Sequence, residues 1–301
     1  MRVTKLAAAL AFGLALLAAP AATPSPSGNF PITIHAANGP VALAAKPVRI
    51  VSLSPTATED LFAIGAGRQV VAVDDQSDYP PSAPKTKLSG YTPNVEAIAG
   101  YRPDLVVVSF DTKGLVKSLA RLKIPTLLEP AAGNLAGAYA QIDQLGAATG
   151  REAAAARLVA GMKRQVTSIR GSLPAGAKGL SVYHELEPDY YSVTSATFIG
   201  RIYQLLGLKD IADAAQGAGS GYPKLSAEYI VASSPDLIVL ADSVCCGQTP
   251  AKVEARPGWS TIAAVKRHDV VAVNDDVASR WGPRVVTFMR DVANAARAAA
   301  R

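Results

Sequence analysis

The chain has 301 residues, 49% of them hydrophobic, 18% charged and 6% aromatic, with a formal net charge of +6. That size and composition can bury a core, suit two domains better than one, and exclude a disordered or fibrous chain. The basic residues are scattered rather than clustered, which argues against nucleic acid as a partner.

Residues 1–21 read as an export signal. Arg2 and Lys5 form a short basic region, and Leu6 to Ala19 is almost wholly apolar but too short for a comfortable membrane span. Ala19-Pro20-Ala21 fits a small-residue cleavage site; a buried N-terminal helix is the competing reading. Removal of this segment leaves a charge of about +4. No Cys follows the apolar run, so the expectation is a soluble, periplasmic protein with its signal cleaved and no lipid anchor.

Residues 22–47 are expected to be a tether and N-terminal extension, with structure starting near Phe30 and becoming regular at Val48. Val48 to Leu53 has strand length. Ser54 can then cap a helix that Pro55 opens, and Thr56 with Glu59 has capping-box spacing. Strands over Gln69–Val73, Asp104–Ser109 and Pro125–Glu129, with a helix over Thr112–Leu122, complete an α/β lobe at 48–133. Residues 134–174 are Ala-rich with helical spacing, interrupted at Gly146 and Gly150, and are read as a helical connector. Strand and helix alternate again from Lys178 to a C-terminal helix after Pro283, which makes 175–301 a second α/β lobe.

A repeat supports two lobes. Glu96-Ala97-Ile98, four residues, then Pro103-Asp104-Leu105-Val106-Val107 matches Glu228-Tyr229-Ile230, four residues, then Pro235-Asp236-Leu237-Ile238-Val239. Ser89-Gly90-Tyr91 and Ser220-Gly221-Tyr222 precede the two copies. Duplicated α/β units leave a cleft where the strands' carboxyl ends gather, so Tyr91 and Tyr222 are expected there, one from each lobe. Glu96 and Glu228 read either as helix-start carboxylates favoured by the dipole or as exposed anions that meet a two-fold partner.

The remaining chemistry points to binding. His35, His184 and His268 have no metal-ligand spacing, so no metal site is assigned. His184, at a strand end beside Tyr183 and Glu185, is a candidate contact for a bound chelate, with an ordinary strand-end role as the alternative. Arg280 is expected to reach anionic groups of a ligand, and Arg284 to pack. Cys245 and Cys246, the only cysteines, are expected to pair in an oxidising compartment, with free thiols as the alternative. No G-x-S-x-G elbow, P-loop or G-x-G-x-x-G after a strand is present, so no enzyme activity is expected; an extracytoplasmic enzyme or adhesion domain on the same scaffold is the second reading.

Lys46-Pro47-Val48-Arg49-Ile50-Val51-Ser52-Leu53-Ser54-Pro55, Thr58-Glu59, Gly65 and Ser77-Asp78-Tyr79-Pro80 together resemble the iron-siderophore/cobalamin class of periplasmic binding proteins. Pro103-Asp104-Leu105-Val106 and Arg280-Trp281-Gly282-Pro283-Arg284 extend the resemblance from about Phe30 to the C-terminus. It implies two Rossmann-like lobes joined by a single long helix, with a ligand cleft between them. It also implies a monomer with no intrinsic cofactor, which meets the membrane only through the permease dimer of an ABC importer. Glu96 and Glu228 match the family's permease-docking carboxylates. The cobalamin-binding pattern places Tyr91 and Tyr222 where that protein has Trp, Gln76 where it has a cleft Tyr, and Asp276 and Arg280 on matching residues. The expected ligand is a metal chelate: a ferric siderophore first, cobalamin next, haem third.

Overall fold

A computed structural model describes residues 30–301, so the export-signal reading of 1–21 lies outside the described residues. Regular structure begins earlier than Val48. Strands β1 (Ile32–Ala36) and β2 (Gly39–Leu43) form an antiparallel hairpin that buries Ile34, Val41 and Leu43. Alternating apolar residues on either side of Asn38-Gly39 are a hairpin signal, which corrects the reading of this stretch as an irregular extension. The hairpin covers a sheet edge: the Asn38 amide donates to Thr126 O at 2.9 Å, and the Leu128 N–H donates to Asn38 Oδ1 at 3.0 Å.

The N-terminal lobe runs β3 (Ile50–Leu53), α1 (Pro55–Ala63), β4 (Val70–Val73), α2 (Val95–Gly100), β5 (Leu105–Val108), α3 (Leu115–Arg121) and β6 (Thr126–Leu128). Its strands are parallel in the order β4-β3-β5-β6. β3 and β5 are buried at every position, as a parallel sheet covered on both faces requires. Ser54 caps α1, its Oγ accepting the Ala57 N–H at 3.2 Å, with Pro55 in the first turn. The Thr56–Glu59 capping box does not form, because the Glu59 carboxylate leaves the helix end and meets two arginines of the other lobe.

Two helices follow, α4 (Leu135–Thr149) and α5 (Glu152–Gly171). Gly150, at φ +64°, ends α4 in the left-handed conformation that favours glycine. Gly146 does not interrupt the helix. A Cβ there would lie 2.5 Å from Ala155 Cβ, so its absence lets α5 pack directly on α4. α4 rests on α1 and β1 of the first lobe and α5 on the C-terminal helix of the second. The 20 residues of α5 span about 30 Å.

The C-terminal lobe runs β7 (Ser181–Glu185), α6 (Phe198–Leu205), β8 (Lys209–Asp210), α7 (Ala227–Ser233), β9 (Leu237–Leu240), α8 (Pro250–Glu254), α9 (Ala263–Arg267), β10 (Val270–Ala272), α10 (Asp275–Ser279) and α11 (Val285–Ala299). Its sheet is parallel, in the order β10-β9-β7-β8. β7 and β9 thus correspond to β3 and β5.

The sequence repeat is a structural repeat. Asn94 and Ser226 cap α2 and α7 through the N–H groups of Ala97 and Tyr229, at 2.8 and 3.1 Å. Ile98 and Ile230 are fully buried beneath those helices. The Asp of each Pro-Asp then ties its own strand to the lobe's first strand. Asp104 accepts the Val48 and Arg49 N–H groups at 2.8 and 2.9 Å, and Asp236 accepts the Ser181 N–H at 2.9 Å. No described helix is long and apolar enough to cross a membrane.

Candidate ligand cleft

Two hollows open at the carboxyl ends of the strands and share Ser279 and Trp281 as a common wall. One, of about 190 Å³, is lined by Pro55, Gln76, Tyr91, Phe110, Asp276 and Arg280 among others. The other, of about 340 Å³, includes Ala132, Thr197, Phe198, Ser220 and Tyr222. Both draw residues from the two lobes. A third hollow, between β2 and α3, lies by Pro125 and Thr126 at the amino end of β6, the edge opposite to the one where ligands of α/β folds bind.

Tyr91 and Tyr222 occupy equivalent turns. Ser89 Oγ accepts the N–H groups of Tyr91 and Thr92, and Ser220 Oγ accepts that of Tyr222. Tyr91 is 65% exposed and Tyr222 49% exposed, so both rings are open to a ligand. Partial burial holds the Tyr222 phenol above its ordinary pKa, so the hydroxyl stays protonated at neutral pH. Tyr91 stacks on Phe110 with ring centroids 5.7 Å apart. Phe110 was missed in the sequence. Its signal was an aromatic residue two positions after the apolar run of β5, where a strand's carboxyl end delivers a side chain to the cleft. Trp281, read in the sequence only as part of the family motif, lines both hollows while its Nε1 donates to Gln141 Oε1 at 2.7 Å.

Arg280 does not offer a free cation to a ligand. Its Nη1 donates to Glu59 Oε1 at 3.0 Å and Asp78 Oδ1 at 2.9 Å. Its Nη2 donates to Gln76 O at 2.9 Å and Asp276 Oδ1 at 2.6 Å. The side chain is buried, and these acceptors come from both lobes. Burial alone would lower the Arg280 pKa, but hydrogen bonds to Glu59 and Asp78 outweigh it and raise it. Burial likewise pushes Asp78 up, and the Arg280 hydrogen bond and charge overcome it, leaving Asp78 below the usual carboxylate range. Arg284, expected only to pack, completes the junction: it holds Glu59 through two hydrogen bonds at 2.8 and 2.6 Å and lies 4.2 Å from the Tyr79 ring centroid.

His184 is not in the cleft. It is fully buried in the C-terminal lobe, with Nδ1 and the Tyr203 hydroxyl hydrogen-bonded at 2.6 Å and the Phe288 ring edge-on at 6.2 Å. Burial lowers its pKa to about 3, so the ring is neutral and serves the core. Side chains alternate along a strand, and the residue proposed as a ligand contact falls on a face packed under α6 and α11. Glu96 and Glu228 lie outside the cleft, exposed in the first turns of α2 and α7. Among the described residues no cluster of His, Cys, Asp or Glu could hold a metal ion.

Residues 50–277 match the periplasmic binding protein family. The chain belongs to that family. An uncharacterised ABC transporter substrate-binding lipoprotein of Bacillus subtilis is 33% identical over 88% of this chain and 85% of its own length. A cobalamin-binding protein of Halobacterium salinarum is 32% identical over 89% of this chain and 74% of its own length. Among solved structures, a possible iron-binding (periplasmic solute-binding) protein of Staphylococcus epidermidis superposes with a TM-score of 0.70 at 28% identity, covering 82% of this chain and 98% of that one. This binding protein is therefore the extracytoplasmic substrate-binding component of an ABC importer, with a permease and a small ligand as its partners, and it is not an enzyme.

Proposed function

We propose that this binding protein captures a corrinoid of the cobalamin type in the interlobe cleft and delivers it to the permease. The observation that carries the ligand is charge. Among the described residues, Asp276 and Arg280 are the only charged side chains lining the two joined hollows, and they are paired with each other. A ferric siderophore bearing carboxylates or phenolates, or the propionates of haem, needs unpaired cations, and the described lining offers only Arg280, already held by Glu59, Asp78 and Asp276. A corrinoid presents a broad apolar macrocycle fringed by neutral amides. Tyr91, Phe110, Tyr222 and Trp281 provide faces for the ring, while Gln76, Ser279, Thr197 and Ser220 provide neutral hydrogen-bonding partners. The 32% identity to a cobalamin-binding protein points the same way. This reading moves cobalamin ahead of the ferric siderophore that the residue pattern alone placed first.

Glu96 and Glu228 are the docking carboxylates in this reading. They occupy matched positions in the two lobes, so a permease with two-fold symmetry can meet both with one set of basic residues. In this reading the protein acts as a monomer in the periplasm.

The test is titration of the purified protein with cyanocobalamin, followed by calorimetry and the visible spectrum. Saturable binding of one corrinoid per chain is expected, with no comparable response to ferric siderophores or hemin. A Soret band on adding hemin, or tight binding of a ferric siderophore without corrinoid binding, overturns the ligand assignment.

A further inference from the structure

The loop between β9 and α8 carries the Cys245–Cys246 disulfide at its tip, with both residues exposed. Nothing in ligand capture as described uses it. Its contacts lead to the lobe junction. The Val244 N–H donates to Asp275 Oδ1 at 2.9 Å and the Cys245 N–H to Asp275 Oδ2 at 2.5 Å. The hydroxyl of Ser243 donates to Val273 O at 2.6 Å, beside the same carboxylate. Asp275 is the first residue of α10. The next residue, Asp276, holds Arg280 at 2.6 Å, and Arg280 closes α10 and crosses to Glu59 and Asp78 of the other lobe.

We propose that the Cys245–Cys246 bridge is a positioning element for the interlobe ion pair. A disulfide between adjacent residues closes a small ring through the peptide bond that joins them. That ring limits the backbone on either side and so holds the N–H groups of Val244 and Cys245 on Asp275. α10 has only five residues and little stability of its own, so its orientation depends on what grips its two ends. The disulfide loop grips the first end and Arg280 ties the last to the N-terminal lobe. Opening the ring lets the loop leave Asp275, and α10 then loses the placement that brings Arg280 to Glu59.

The exposed sulfur atoms make this connection addressable. A dithiol attacks one sulfur, breaks the S–S bond and forms a mixed disulfide; its second thiol displaces the protein sulfur. The reagent ends as a cyclic disulfide, and Cys245 and Cys246 end as thiols, having taken up two electrons and two protons between them. A periplasmic dithiol would thereby loosen the lobe junction without touching either core.

Hydrogen exchange by mass spectrometry on the full chain without ligand tests this. Five samples are compared: oxidised protein, protein reduced with dithiothreitol, C245S/C246S, D275N without dithiothreitol and D275N with it. Reduction and C245S/C246S should each speed exchange of the amides over 275–281 by about tenfold or more, with β7 and β9 unchanged. D275N should show that fast exchange already, and reduction should add nothing to it. If the double variant does not fold, reduction of the native chain still decides. Unchanged exchange over 275–281 on reduction, or an undiminished response to reduction in D275N, overturns the proposal. The readout is made without ligand, so it stands or falls separately from the corrinoid assignment.

Discussion

Arg280 and Glu59 are 221 positions apart in the chain and 3.0 Å apart in the fold, with Glu59 almost wholly buried. One carboxylate thereby holds two guanidiniums, since Arg284 also grips it at 2.6 Å. Among the described ion pairs that join the lobes, the Arg280–Glu59 pair has the least exposed side chains. Removing the Glu59 charge leaves Arg280 and Arg284 short of a partner in a dry site. Glu59→Gln is expected to cost roughly 3 kcal/mol in urea unfolding, the scale for breaking a buried pair. Asp78→Asn, whose carboxylate is 64% exposed, should cost less than about 1 kcal/mol. Equal costs in the two variants would mean that the junction does not depend on Glu59.

Tyr91 and Tyr222 should act through their rings. Tyr91→Ala and Tyr222→Ala are each expected to weaken cyanocobalamin binding by about ten- to a hundredfold, as loss of an aromatic anchor does. Tyr91→Phe and Tyr222→Phe should retain affinity within a fewfold, by calorimetry. If a Phe variant loses as much as its Ala counterpart, the phenol oxygen is the contact, as iron ligation would require.

Glu96→Gln combined with Glu228→Gln should leave ligand affinity unchanged and abolish uptake in a reconstituted importer. Single variants should retain partial transport, because the proposed docking reading puts one carboxylate in each lobe. Full uptake by the double variant removes these residues from the docking surface.

Glu129 sits buried at the carboxyl end of β6 with one carboxyl oxygen lacking a partner, and burial raises its pKa from 4.5 to about 8. Between those values the native state keeps the proton and the unfolded chain releases it. Its contribution is complete below pH 4.5 and is lost as pH rises to about 8, at up to about 1.4 kcal/mol per pH unit. Glu129→Gln cannot titrate, so the stability difference between variant and native protein should grow with pH across that window. Urea midpoints at pH 5, 6.5 and 8 measure it; a constant difference refutes the assignment.

What was legible in the sequence was local or repeated. Ser54-Pro55 read correctly as a helix start because a cap needs only neighbouring residues. The two Pro-Asp junctions were visible because each does the same local task, tying one strand to the lobe's first strand. Asn38-Gly39 carried an equally local signal, and the hairpin there could have been read. Glu59 was misread as part of a capping box because the spacing was right and its true partners lie in the other lobe. His184 was misread because proximity to a strand end does not say which face of the sheet a side chain takes.

The sequence by itself determined the duplicated α/β lobes and the paired aromatic and acidic positions, since these follow from periodicity, capping and a repeat written in neighbouring residues, while the resemblance of its motifs pointed to the family. Only the tertiary structure decided the character of the cleft. Whether Arg280 is a free cation or a saturated one depends on Glu59 and Asp78, residues brought to it from the other lobe. Charge acts through space, and the partners that neutralise it are chosen by packing rather than by order along the chain.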